Sequence, residues 1–182
     1  TGLPTYTSQT DLLFVLHAGQ GEFTRFVAAP GDAEEAYFWS AISMNMAWKY
    51  QIPAFILSDK ALSEGTYTFD IDSAGKVEEE KISRKFAPDK GAVIKVNSYE
   101  HDEAGITTED PKITKVMQEK RLNKEKLLSQ ELAKLPAVGA YGNMNSPVVL
   151  LCWGSNKAVC VEAANNLGLK VVAEGVETEE QR

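Results

Sequence analysis

Four consecutive residues of the chain carry side chains that could bind a metal ion or transfer a proton. They are Glu100, His101, Asp102 and Glu103, in a polar segment that runs to Asp110-Pro111. Adjacent residues of an extended chain point to opposite sides, so all four cannot face one ion, although Glu100 and Asp102 could. The segment therefore favours an interface loop or an active-site lid over a metal site, and an ordinary solvated loop is the other alternative.

Composition bounds the class of protein. Of the 182 residues, 43% are hydrophobic and 25% are charged, which is typical of a globular protein with its own core. The net charge is -7, and basic residues alternate with acids between Lys112 and Lys126, which argues against nucleic-acid binding. We find no signal peptide and no apolar run of about 18 residues, so we expect a cytoplasmic protein without a membrane span.

The two cysteines, Cys152 and Cys160, do not form a Cys-x-x-Cys pair. Each lies in an apolar run, so we expect both to be reduced and buried. They are too few to hold an iron–sulfur cluster, which normally takes four thiolates.

The hydrophobic pattern of the first half predicts a strand–helix–strand unit of an α/β fold. The predicted elements are a helix from Thr7 or Ser8 to about Ala18, a strand over 25–29, a helix from Asp32 to about Tyr50 and a strand over 54–57. Apolar residues surround most of the second helix, which predicts a buried helix, and the run 54–57 is typical of an interior parallel strand. Ser58-Asp59-Lys60 follows at the carboxyl end of that strand, as a ligand-binding edge or a solvated turn.

The second half of the chain predicts a long connection and then another strand–helix–strand unit. Little helix is expected between Gly65 and Asp110. The later elements are a helix from Asp110-Pro111 to about Leu135, a linker over 136–147, a strand over 148–152, a turn at Gly154-Ser155-Asn156 capped by Ser155, a helix over 157–167 and a strand over 169–172. A single glycine in that turn is a weak signal for phosphate binding, and a plain turn is favoured.

Seven motifs follow one another along the chain. They are Thr1-Gly2-Leu3-Pro4-Thr5, the segments 9–13, 17–23, 29–32 and 56–60, the segment from Glu100 to Pro111, and Trp153-Gly154-Ser155. In this order they resemble the α subunit of 2-oxoacid:ferredoxin oxidoreductases, with the 2-oxoglutarate type as the best match. The resemblance covers roughly residues 1–172.

The resemblance implies a thiamine-diphosphate-dependent reaction that converts a 2-oxoacid, with 2-oxoglutarate favoured, to an acyl-CoA and reduces ferredoxin. It implies that the diphosphate, Mg²⁺ and an iron–sulfur cluster lie mainly on a β subunit or another partner, while the α subunit contributes the pyrimidine-binding face. The residues then expected near the cofactor or substrate are Thr1, Gly2, Leu3, Pro4, Thr5, Gln9 and His17. The alternatives are a structural turn for residues 1–5 and a capping or packing role for His17.

The resemblance also sets the expected domain organisation. The expected parts are the second half of a pyrimidine-type thiamine-binding domain over 1–65, an extended arm and charged helix over 66–136, a linker over 137–147 and the start of a transketolase-C-terminal-like α/β domain over 148–182. In the family, a Tyr-Pro-Ile-Thr-Pro motif and an Arg-Gly-Gly-Pro-Ser segment lie upstream of the position of Thr1. We therefore expect a fragment that is inactive alone. A non-catalytic assembly module is the alternative.

The tail departs from this family. Residues 167–181 resemble a late strand motif of EAL-type cyclic-di-GMP phosphodiesterases, whose acidic residues serve a metal site. Those enzymes need a full (β/α)8 barrel, and their other motifs are absent from the sequence. Under this remote alternative, metal-dependent hydrolysis would be lost in Glu174→Ala.

Overall fold

The structure is a computed structural model, and it describes residues 11–81, 85, 89–92, 94–95 and 97–177. The helices of this part are α1 (Asp11–His17), α2 (Ala33–Tyr50), α3 (Lys60–Glu64), α4 (Pro111–Leu122), α5 (Lys124–Leu132) and α6 (Asn156–Leu167). The strands are β1 (Phe26–Ala28), β2 (Ala54–Ile56), β3 (Val138–Gly142), β4 (Val149–Trp153), β5 (Lys170–Glu174) and β6 (Val176–Glu177). The predicted start of the first helix at Thr7 or Ser8 lies outside the described residues.

The strands form two three-stranded sheets. In the first sheet, with order β2-β1-β6, β1 is parallel to β2 and antiparallel to β6. In the second, with order β3-β5-β4, β5 is parallel to β4 and antiparallel to β3. Each sheet is thus built on one parallel strand–helix–strand unit, β1-α2-β2 or β4-α6-β5, so the expected α/β class is confirmed.

The main core packs α2 and α5 with the first sheet. Its buried members are Phe26, Ala28, Trp39, Ile42, Met46, Ile52, Leu128 and Leu132. Trp39 is almost fully buried, with its ring centroid 6.3 Å from that of Phe26 and 5.0 Å from that of Phe38. Burying side chains of this size contributes roughly 1.5–3 kcal/mol each, so this cluster fixes α2 on the sheet.

Two burial expectations of the first half are wrong for this part of the chain. Helix α2 contacts β1, β2 and α5 on one side, and Tyr37, Met44 and Trp48 on its other side are exposed. Strand β2 lies at the edge of its sheet rather than in the interior, and Ile56 is exposed. The apolar pattern predicted both elements correctly, but it could not show which of their faces remain exposed in the described part of the chain.

Two expectations for the second half also need correction. The predicted helix to Leu135 breaks at Asn123, a weak helix former, into α4 and α5. The linker expected over 137–147 contains β3, which pairs along its length with β5. Its glycines suggested a turn, but the tertiary pairing with β5 overrides that local preference.

The start of α4 follows the sequence prediction. The carboxylate of Asp110 accepts hydrogen bonds from the amides of Lys112 at 2.7 Å and Ile113 at 3.4 Å, and Pro111 occupies the first turn. We expect Asp110→Ala to lower the free energy of unfolding by about 1 kcal/mol, because two amides lose their acceptor. Urea unfolding at neutral pH measures this loss. Asp110→Asn retains the acceptor and is the matched control, and equal losses for both variants would contradict the capping role.

Among the described helices, none is both long enough and apolar enough to cross a membrane.

Cys152 and Cys160 are both free and only partly buried, which corrects the expectation of two buried thiols.

Candidate functional site

The segment with the four candidate site residues folds into a short antiparallel hairpin loop, residues 100–108. His101 pairs with Thr107 in an isolated bridge, and the amide of Thr108 donates to the carbonyl oxygen of Glu100 at 2.9 Å. The segment is therefore an ordered loop with its own backbone pairing.

Asp102 holds the tip of this hairpin loop. Its carboxylate Oδ1 accepts hydrogen bonds from the amides of Ala104 and Ile106, each at 2.9 Å. Gly105 has a φ of 75°, which favours glycine, and its amide donates to the carbonyl oxygen of Asp102. The Asp102 carboxylate thus closes a turn, as aspartates often do.

Glu100 fastens the hairpin loop to α4. Its two carboxylate oxygens accept hydrogen bonds from the Arg121 guanidinium at 2.6 Å and 2.5 Å, a bidentate pair. Gln118 adds a bond at 3.1 Å, and the Glu100 side chain is only 12% exposed. The hydrogen bonds from Arg121 lower the pKa of Glu100 to about 2, against a smaller opposing effect of burial. Glu100 is therefore a fixed anion at neutral pH and unsuited to donate a proton.

The other two candidates point elsewhere. His101 is half-exposed, with Nδ1 3.6 Å from the Glu100 carboxylate, and Glu103 is exposed, 3.6 Å from the ammonium of Lys120. Across the residues that the structure describes, no three His, Cys, Asp or Glu side chains are grouped so that they could hold a metal ion. The structure therefore does not bring the four residues together around one point.

The residues expected near the cofactor fall mostly outside the description. Thr1, Gly2, Leu3, Pro4, Thr5 and Gln9 lie before Asp11, where the described residues begin. His17 ends α1 and is exposed. Their roles stay predictions.

A second group of charges, which the sequence did not reveal as a group, lies where α6 meets the start of α2. Lys157 on α6 donates to Asp32 at 2.6 Å and to Glu35 at 2.5 Å. Asp32 also caps α2 through the amide of Glu35 at 2.9 Å, as predicted. The Lys157 side chain is 15% exposed, and the bonds to both acids raise its pKa although burial, the largest single effect, acts to lower it.

Ser155 and Asp59 make a second link, between the turn before α6 and the start of α3. The Ser155 hydroxyl is hydrogen-bonded to the Asp59 carboxylate, and Asp59 also caps α3 through the amide of Leu62 at 3.0 Å. The predicted capping of α6 by Ser155 is wrong, because its side chain makes no cap bond and is engaged by Asp59. We call Asp32, Glu35, Asp59, Ser155 and Lys157 the inter-sheet junction.

Gly31 is required for this close approach. A Cβ atom at Gly31 would lie 2.6 Å and 2.8 Å from carbons of the Lys157 side chain and 3.1 Å from the carbonyl oxygen of Gly154. The junction is therefore tight at the level of the backbone.

The junction does not fit a diphosphate. A helix that begins after a glycine can bind a phosphate through its free amides. Here Ser155, the residue before α6, is hydrogen-bonded to the carboxylate of Asp59. Two further carboxylates, those of Asp32 and Glu35, are bound to Lys157 in the first turn of the helix. These negative charges would repel a diphosphate. The inter-sheet junction thus offers no cradle for this group.

The tail also pairs within this fold. β5 ends at Glu174, and β6 is antiparallel to β1 across Ala28↔Val176 and Val27↔Glu177. The amide of Ala29 donates to the carbonyl oxygen of Gly175 at 2.7 Å. The described strands belong to two small sheets, whereas the phosphodiesterase alternative requires a barrel.

Comparison with known proteins gives one consistent result. Residues 1–129 match the sequence family described as pyruvate flavodoxin/ferredoxin oxidoreductase, thiamine diphosphate-binding. The chain is 35% identical to the 2-oxoacid:ferredoxin oxidoreductase subunit alpha of Saccharolobus solfataricus, over 92% of this chain and 30% of that protein. It is 24% identical to the 2-oxoglutarate synthase subunit KorA of Methanocaldococcus jannaschii, over 92% of this chain and 49% of that protein.

A solved structure has the same fold. The 2-oxoglutarate:ferredoxin oxidoreductase of Magnetococcus marinus, determined with 2-oxoglutarate, coenzyme A and succinyl-CoA bound, superposes with a TM-score of 0.71. The sequence identity is 24%, and the match covers 96% of this chain and 35% of that one. The chain thus spans less than half of the length of these relatives.

Proposed function

The chain belongs to the thiamine-diphosphate-binding family of pyruvate flavodoxin/ferredoxin oxidoreductases, and we propose that it is part of the α subunit of a 2-oxoacid:ferredoxin oxidoreductase. In this proposal the assembled enzyme decarboxylates a 2-oxoacid oxidatively, transfers the acyl group to coenzyme A and passes two electrons to ferredoxin. The observation that carries the proposal is the similarity to named α subunits over 92% of the chain.

The proposed substrate is 2-oxoglutarate. Two relatives bear the name 2-oxoglutarate synthase subunit KorA, and the solved structure with this fold holds 2-oxoglutarate and succinyl-CoA. The relative with 35% identity is named only for 2-oxoacids. A substrate panel that includes pyruvate therefore belongs to the test.

The proposed distribution of the cofactors between the subunits starts from the charges of the described residues. Thiamine diphosphate, when bound, supplies the carbanion chemistry of the decarboxylation. We assign the diphosphate to a β subunit because the inter-sheet junction is anionic, and we place Mg²⁺ with it. We assign the iron–sulfur cluster to a partner because the sequence has two cysteines and a cluster normally takes four thiolates. Residues 1–5, Gln9 and His17 would border the pyrimidine side. The hairpin loop, held by Glu100 and Arg121, would serve as an interface or a lid.

Co-expression with a β subunit tests the proposal. The chain is produced with the β subunit of an archaeal relative, once as it stands and once preceded by the segment that precedes the matching region in that relative. We expect 2-oxoacid-dependent reduction of methyl viologen in the second complex, fastest with 2-oxoglutarate. A second complex that forms stably, binds thiamine diphosphate and still reduces no viologen would overturn the catalytic proposal.

A role in subunit assembly is the second candidate. The exposed apolar side chains on α2, Tyr37, Met44 and Trp48, favour it, because such surfaces often mark contacts with partners. This candidate predicts a stable complex with the β subunit that neither binds thiamine diphosphate in a calorimetric titration nor reduces viologen.

A further inference from the structure

Helix α1 has little packing of its own in the described chain. It has seven residues, and a helix of this length is not stable by itself in water. Leu16 is its one buried residue in this part of the chain, while Leu13 and Phe14 are 69% and 70% exposed. The place of α1, and of His17 at its end, therefore depends on the contacts that its last turn makes.

Arg25 makes such a contact. Its guanidinium Nη1 donates a hydrogen bond of 2.6 Å to the carbonyl oxygen of Val15, in the last turn of α1. The last carbonyls of a helix have no amide partner within the helix and carry the negative end of its dipole, so a cation is favoured there. The Nε atom of Arg25 is buried and has no acceptor in the part of the chain that the structure describes. The hydrogen bonding of this side chain is thus directed at α1.

Arg25 is held rigidly at the start of β1. The next residue, Phe26, is fully buried, and its amide donates to the carbonyl oxygen of Pro53 at 3.0 Å. The guanidinium carbon of Arg25 lies 4.1 Å from the ring centroid of Phe23, a cation–π contact. A Cβ atom at Gly19 would lie 2.7 Å from this ring, so the turn that follows α1 packs tightly against it. Arg25 therefore connects α1 to a fixed point of the first sheet.

We propose that Arg25 is a positioning residue of the enzyme, which fixes the last turn of α1 and thereby sets the place of His17 at the cofactor. This rests on the proposed function, in which His17 borders the pyrimidine side of thiamine diphosphate. Val15 precedes the exposed His17 by two residues, so the hydrogen bond from Arg25 lies within one helical turn of the histidine. Arg25 acts through α1 and makes no contact with the cofactor itself.

Amide exchange tests the structural step. It is measured in the complex of the β subunit with the chain preceded by the upstream segment. Arg25→Ala should raise the exchange rates of the α1 amides about tenfold, as the loss of one hydrogen bond to a charged group would, and leave those in the centre of α2 unchanged. Gln20→Ala removes an exposed side chain from the same turn and is the matched control. Unchanged exchange in α1 of Arg25→Ala would overturn the proposal.

A calorimetric titration of the same complex with thiamine diphosphate and Mg²⁺ tests the link to His17. We expect Arg25→Ala and His17→Ala each to raise the dissociation constant about tenfold at unchanged stoichiometry. Partial unfolding would lower the stoichiometry instead. The double variant should bind no more weakly than His17→Ala, because both substitutions remove the same contribution. Arg25→Lys keeps a charged donor and should restore part of the affinity.

The outcomes separate this proposal from the proposed function. A wild-type complex that neither binds thiamine diphosphate nor reduces viologen would refute both. In an active wild-type complex, effects of Arg25→Ala and His17→Ala that multiply in the double variant would overturn the positioning role alone. An unchanged dissociation constant in either single variant would do the same. If Arg25→Ala does not assemble, Arg25→Lys serves both measurements, with expected changes of about threefold.

Discussion

Arg121→Ala is expected to lower the free energy of unfolding by about 3 kcal/mol, the largest loss that we expect for a single side chain. The substitution removes both hydrogen bonds to Glu100 and leaves a carboxylate that is 12% exposed without its counter-charge. Removing one partner of such a pair is costly because the other charge stays desolvated. Equilibrium unfolding in urea at neutral pH measures the loss.

Two controls separate the pair from a general effect on α4. Arg121→Lys keeps the charge but cannot bind both carboxylate oxygens in the same way, so we expect a loss of about 1–2 kcal/mol. Lys115→Ala removes a cation from the same helix, 3.8 Å from Glu119 and 76% exposed, and should change stability by less than about 0.5 kcal/mol. Similar losses for Arg121→Ala and Lys115→Ala would contradict the role of the pair.

The same substitution should change how stability depends on pH. The pKa of Glu100 is lowered from 4.5 to about 2 in the folded chain. A lowered folded-state pKa contributes stability above the unfolded value, and that contribution disappears as pH falls through the folded value. The difference between the wild type and Arg121→Ala should therefore be constant above about pH 4.5 and shrink between 4.5 and 2.

Local amide exchange should identify the hairpin loop as the affected part. The amides of Asp102 and Thr108 donate across the loop to the carbonyl oxygens of Ile106 and Glu100, each at 2.9 Å. Loss of the Arg121 anchor should raise their exchange rates more than those of α2. Unchanged exchange in the hairpin loop would show that Arg121 stabilises α4 without holding the loop.

Features set by a few neighbouring residues were predictable from the sequence. Asp32 and Asp110 cap their helices as expected because an N-cap depends on the residue type and the next three positions. The parallel units β1-α2-β2 and β4-α6-β5 were expected from apolar runs and turns. Such signals are contained within short windows of sequence.

Features that depend on distant partners were not predictable in this way. Lys157 pairs with Asp32 and Glu35, which precede it by 125 and 122 residues, and no local pattern marks such a contact. Glu100 illustrates the same limit. Its carboxylate suggested metal or acid–base chemistry, but a guanidinium 21 residues later makes it a structural anion. In both cases the residue type was informative, while its role was decided by the partner.

Lys157→Met is the second substitution for which we expect a large effect, a loss of about 2 kcal/mol in the free energy of unfolding. Methionine retains much of the packing of the side chain and removes the ammonium that donates to Asp32 and Glu35. Both carboxylates are partly exposed, so water compensates some of the loss, and we expect less than for Arg121→Ala. The pKa of Asp32, which the hydrogen bond and charge of Lys157 help to lower, should rise in the variant.

The contacts of the inter-sheet junction predict which helix is destabilised in Lys157→Met. Asp32 still accepts the amide of Glu35 after the substitution, so the cap of α2 persists. Amides of α6 should lose protection against exchange, while those in the centre of α2 keep it. Lys60→Met is the matched control, since Lys60 lies 3.7 Å from the exposed Glu64 and should change stability by less than about 0.5 kcal/mol. Equal loss of protection in the centre of α2 and in α6 would mean that Lys157 supports the whole fold rather than the contact between α6 and the start of α2.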